Sequence, residues 1–174
     1  RNWGIKAEAS ELESVLDHFA ASENATWLAR VMRIFQSRRP PSLHPLLLRA
    51  ADHEDHAVRW LAYQALSRVK EPRVRALALA KIRQGEAANG SLLLFRANYE
   101  SGDHVAIEQS LVPPDDVHER HGLTSDLLRA LQDHPLSETR KLMLFVYEHT
   151  PCGLCRDDAL EALLQGGPAP DWLA

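Results

Sequence analysis

Apolar residues in this chain recur at three- and four-residue intervals, the spacing of a helix with one buried face. In "SELESVLDHFAAS", Leu12, Val15, Leu16 and Phe19 share such a face, and Ser10 with Glu13 reads as a capping box. "NATWLARVMRIFQSR" opens on a candidate N-cap, Asn24, runs Trp27, Leu28, Val31, Met32 and Phe35 along one stripe, and ends at Pro40-Pro41. "SLHPLLLRAA" follows as a short helix with Pro45 in its first turn. "HAVRWLAYQALSRV" carries Val58, Leu61, Ala62, Ala65, Leu66 and Val69 on one side. "EPRVRALALAKIRQ", "GSLLLFRANYES", "DHVAIEQSL", "DDVHERHGLTSDLLRALQDH" (broken at Gly122), "SETRKLMLFVYEH" and "CGLCRDDALEALLQ" complete about ten helices, the last ending at Gly166-Gly167-Pro168. No stretch alternates with the period of two that a strand needs, so the pattern predicts an all-α protein.

Ten short helices can form a bundle or a stack of hairpins, and internal similarity separates the two. The stretch "LHPLLLRAADHEDHAVRWLAYQALSRV" has an apolar first helix, a turn with Asp52 and Asp55, and a second helix opening Val58-Arg59 and closing Ala65-Leu66. "EPRVRALALAKI" repeats the Val-Arg element at Val74-Arg75, and "HPLSETRKLMLFVY" places Thr139-Arg140 there. These segments resemble HEAT repeats. The resemblance implies one HEAT-like α-solenoid over residues 1–174, of about five stacked antiparallel hairpins. Its clearest repeats are 43–69 and 71–101, with degenerate ones at 1–40 and 103–165. It also implies an inter-repeat pairing of the turn Asp55 with the helix Arg59. HEAT arrays act mostly as scaffolds, so the leading expectation is a non-enzymatic protein–protein interaction module, with no cofactor and a cytoplasmic location.

Charge modifies this picture in one segment. The net charge of −4 is mild, but residues 30–83 hold twelve Lys/Arg against four Asp/Glu. The alternative expectation is therefore a HEAT-like nucleic-acid-binding or DNA-repair protein, in which Arg30, Arg33, Arg49, Arg59, Arg73 and Arg75 would face phosphates beside Trp27 or Trp60. Trp27 belongs to the apolar stripe and is expected in the core. Trp60 and Tyr63 lie off the main stripe of their helix and are expected at an exposed or inter-repeat aromatic contact. The candidate binding set is Arg59, Trp60, Tyr63, Arg73 and Arg75. No apolar run is long enough to span a membrane, so no membrane partner is expected. The chain begins at Arg1, which implies a fragment or a processed product, and Trp172 and Leu173 read as apolar residues awaiting a neighbour.

The remaining candidate chemistry is sulfur and imidazole. Cys152 and Cys155, the only cysteines, open a helix behind Thr150 (N-cap) and Pro151 (N1). A helix N-terminus stabilises a thiolate, but a redox C-x-x-C ordinarily follows a strand. Zinc would take His149, Cys152 and Cys155, with His134 or His121 as fourth ligand. The favoured expectation is packed thiols, because Cys152, Cys155, Ala159 and Leu163 fall on one helical face. The dipeptides His53-Glu54 and His118-Glu119 are similar to those of HEAT-type di-iron hydroxylases, which implies a metal enzyme as a third reading. The first of them falls in a predicted turn, however, and the two do not occupy matching repeat positions.

Overall fold

A computed structural model describes residues 6–134 and 136–165; Gly166, Gly167, Pro168, Trp172 and Leu173 lie outside the described residues. Among the described residues there are nine α-helices and no strand, as the hydrophobic period requires. They are α1 (Ala9–His18), α2 (Ala25–Met32), α3 (Pro45–Ala50), α4 (His56–Leu66), α5 (Pro72–Arg83), α6 (Asp103–Ser110), α7 (Val117–Leu131), α8 (Leu136–His149) and α9 (Gly153–Gln165). Short 3-10 segments occupy Arg33–Gln36, Ala87–Asn89 and Ser91–Phe95. No described helix is long and apolar enough to cross a membrane.

Local chemistry sets most boundaries. Asn24 caps α2 by accepting from the Trp27 N–H at 3.1 Å, and Asp55 caps α4 by accepting from the Val58 N–H at 3.1 Å. The first capping box lies two residues earlier than predicted, on Glu8 and Glu11, and the Glu8 N–H donates to Glu11 Oε2 at 2.7 Å. Gly122 does not break α7, which runs on through the buried residues Leu123, Thr124, Leu127 and Leu131. "SLLLF" forms a 3-10 turn rather than the predicted α-helix. Gly90 enters it at φ +89, and all five of its residues are buried.

Packing follows chain order. α2 and α3 pack on α4, α4 and α5 pack on the Ser91–Phe95 segment, and that segment packs on α7. α5 touches α6, α6 touches α8, and α9 closes over α7 and α8. The core runs through these contacts, from Leu12 and Leu16 past Leu46, Leu61 and Leu66 to Leu92, Leu127, Val146 and Leu163.

One ionic link ties α5 to α6. The Arg75 guanidinium donates to both carboxylate oxygens of Asp103, at 3.0 and 2.7 Å, and the Glu100 N–H donates to the same carboxylate at 2.9 Å. Asp103 is 4% exposed, so removing it strands the arginine in a partly buried place. Asp103→Ala is expected to cost about 2–3 kcal/mol in a urea melt. Glu100→Ala, which removes the solvent-facing partner of the same arginine, is expected to cost less than about 0.5 kcal/mol.

Candidate functional site

Of the two His-Glu dipeptides, His118-Glu119 lines a cleft that also holds His56, whereas His53-Glu54 does not. His56 and Trp60 stand one turn apart on α4 and so share a face. His118, Glu119, Gly122 and Asp126 fall within about 100° of arc on α7. With Ala88, Asn89 and Gly90 between the helices they line a space of ≈ 430 Å³, within the size range of small-ligand sites. Gly90 is required there on two counts. Its φ is +89, and a Cβ would stand 2.9 Å from Trp60 Cδ1 and 3.6 Å from Asp126 Oδ2. The backbone thus lies against the indole on one side and the carboxylate on the other.

Asp126 dominates the electrostatics. It is 7% exposed, and no hydrogen bond reaches its carboxylate among the described residues. Burial pushes its carboxyl up to about 6, and Arg129 opposes that only in part. Glu119 adds a second carboxylate, and no lysine or arginine lines the cleft. An ionised carboxylate only partly offset by Arg129, in a cleft with an aromatic wall, suits a positively charged group.

The candidate binding residues are dispersed. Trp60 is half-buried in the cleft wall. Tyr63 is buried, because α4 is covered on more than one side, and its hydroxyl donates to Glu86 Oε2 at 3.3 Å. Burial first, then Glu86, raises that hydroxyl well above the ordinary tyrosine range. Arg59 does not pair with Asp55; its Nη1 donates to the carbonyls of His53 and Glu54 at 2.8 and 2.7 Å and closes the turn before α4. Arg75 is held by Asp103 and Glu100, and Arg73 stands exposed on α5. Arg49 donates from Nη2 to the Ser22 carbonyl at 3.2 Å. Trp27 is 48% exposed rather than in the core, since α2 is covered mainly on the side of α4. Its ring stacks on Phe19, and the Arg30 guanidinium lies 4.8 Å from its centroid.

Around the cysteines the fold selects a different histidine from the expected one. His149 turns onto the Phe145 ring, with centroids 4.4 Å apart, and His134 is hydrogen-bonded to the Arg96 carbonyl at 3.1 Å. His121, from α7, brings its Nε2 to 3.6 Å from Cys155 Sγ. Cys152 takes the N-cap place of α9, where the Cys155 N–H, the Cys155 thiol and the Leu154 N–H hold its thiol below the ordinary range. Burial raises Cys155. Both thiols are half-buried, so the expected packed pair stands at the surface end of the stripe whose buried members are Ala159 and Leu163.

Sequence reasoning passed over Asp126 and Gly90. A signal for the first was present: in "LTSDLLRAL" a lone acid sits on a stripe with Leu123, Leu127 and Ala130. No family model matches the chain, and no match appears among curated proteins or solved structures.

An aspartate ionises near pH 4 when unfolded, and Asp126 does so near 6 in the fold. Between those values the folded chain binds the extra proton, so this group's stabilising contribution is lost as pH rises through the window. Asp126→Asn is therefore expected to be more stable than the parent at pH 7, by at most about 3 kcal/mol. The difference should shrink toward pH 4, as read from urea melts at both pH values.

Proposed function

We propose that this chain is a HEAT-type stack of helical hairpins serving as a non-enzymatic docking scaffold, and that its α4–α7 cleft receives a lysine or arginine side chain of a protein partner. Packing of each element mainly on its near neighbours in sequence supports the stacked reading. The observation that carries the cleft reading is the largely buried carboxylate of Asp126, which borders the cleft and whose raised pKa Arg129 offsets only in part. An ionised group in that position costs stability, and a cation from outside offsets the cost only when it binds. Trp60 supplies an aromatic wall for the methylene stem and the charge of such a side chain, and Glu119 adds attraction from α7.

The test uses Nα-acetyl-arginine amide, with the neutral citrulline analogue as its control, followed through the Trp60 indole signal in NMR titrations. The arginine probe is expected to bind at least about tenfold more tightly than citrulline, and Asp126→Asn to remove the difference. Binding should weaken as pH falls through about 6, where the carboxylate takes up its proton. Equal binding of both probes would refute the cationic reading.

A second reading rests on another surface. Arg30, Arg33, Ile34 and Gln36 line a groove of ≈ 380 Å³ beside exposed Trp27, a charge-and-stacking combination that suits single-stranded nucleic acid. It requires retardation of an oligonucleotide at micromolar protein in low salt, lost in Arg30→Glu/Arg33→Glu and at raised salt. Absence of retardation eliminates it.

A further inference from the structure

We infer that His121, Cys152 and Cys155 form a three-ligand site for zinc, with the fourth coordination position left to water or to a group from a partner. The site shares no residue with the cleft around Asp126, so the two proposals stand or fall separately.

The argument begins with distances. The imidazole nitrogen and the two sulfurs lie within 4.8 Å of one another. Tetrahedral zinc with Zn–S near 2.3 Å and Zn–N near 2.05 Å puts neighbouring ligand atoms ~3.6 Å apart for N···S and ~3.8 Å for S···S. The observed His121 Nε2···Cys155 Sγ separation of 3.6 Å matches the first of these edges. The rest of the triangle needs a contraction of no more than about 1.2 Å, within the reach of a cysteine χ1 adjustment. Two thiols and one imidazole are a soft donor set that selects zinc over the hard cations magnesium and calcium.

The backbone is built to hold this arrangement. Arg156 donates from Nε to the Tyr147 carbonyl at 3.2 Å and from Nη2 to the Thr150 carbonyl at 2.8 Å. Thr150, 1% exposed, accepts from the Cys152 N–H at 3.3 Å. The Arg156 N–H then bonds the Cys152 carbonyl at 3.1 Å and starts α9 with Cys155 in its first turn. These bonds fix the α8–α9 corner that sets the cysteine spacing. The third ligand comes from α7, which packs against both helices of that corner. His121 also lies on the side of α7 that turns away from the cleft-lining face of Glu119, Gly122 and Asp126.

No fourth His, Cys, Asp or Glu joins the three among the described residues. Three protein ligands with one open position is the coordination pattern of zinc that binds an exchangeable group, whereas structural sites are closed by four. The thiols and imidazole are partly exposed, so an incoming ligand has access.

The experiment uses the full chain, stripped of metal with chelator and fully reduced before measurement. Zinc chloride is titrated against a chromogenic chelator, and cobalt(II) is added in parallel as a spectroscopic substitute. One equivalent is expected to bind, with the cobalt form showing thiolate-to-metal charge transfer and the ligand-field intensity of a tetrahedral ion. His121→Ala, Cys152→Ser and Cys155→Ser are each expected to weaken zinc binding by roughly tenfold or more. His149→Ala should leave it unchanged. Thermal melts of the metal-free variants, matching the metal-free parent, exclude a folding defect as the cause. Failure of the reduced chain to take up one equivalent overturns the site. So does a loss caused by His149→Ala as large as that caused by His121→Ala.

Discussion

The buried Ser91–Phe95 turn is the constraint on which the rest of the molecule rests. Its residues are between 0 and 2% exposed, and α4, α5 and α7 all pack on it. A short 3-10 element leaves backbone groups without intrahelical partners, and burial makes each of them costly. Two side chains meet that demand. Ser91 donates to the Glu86 carbonyl at 2.9 Å, and Asn98 donates to the carbonyls of Leu94 and Val69 while accepting from the Glu71 N–H. Asn98 thereby joins the turn to the start of α5. Gly90, at the mouth of the same turn, sets how closely Trp60 and Asp126 approach the backbone. The packing element and the cleft are consequently one piece of structure.

Two aspartates illustrate what burial asks of a charge. Asp103 and Asp126 are 4% and 7% exposed, nearly the same. Asp103 lies under a bidentate arginine and a backbone N–H and serves as a joint between helices. Asp126 has no such donors and borders an open space. A chain shaped by stability alone would place an apolar or amide residue at position 126. The contrast distinguishes an acid that joins two helices from one whose burial is offset only in part by a nearby charge.

Much of the architecture was legible from periodicity. Most of the stripe residues predicted for α1, α2 and α4 are buried, and the predicted cap at Asn24 is present. What misled was the use of a single stripe to divide inside from outside. Tyr63 lies off its stripe yet is buried, because α4 has neighbours on several sides; Trp27 lies on its stripe yet is half exposed, because α2 does not. The Asp–Arg pairing that the HEAT resemblance implies was expected between Asp55 and Arg59, but Arg59 bonds the carbonyls of His53 and Glu54 instead. The described residues do pair an arginine with an aspartate between helices, at Arg75 and Asp103, 28 residues apart.

Helical character, most termini and the candidate chemical groups are local properties. They depend on side-chain spacing and on hydrogen bonds that reach three or four residues, so the sequence by itself determined them. Which groups meet is a different kind of fact. His121 stands 34 residues from Cys155, while His149 stands only six away, yet His121 arrives at the sulfurs and His149 turns onto Phe145. His56 and Asp126 reach one cleft only because α4 and α7 flank the same buried turn. Such meetings are decided by how helices stack, and stacking depends on shape and burial summed over the whole core, which no short window of sequence contains.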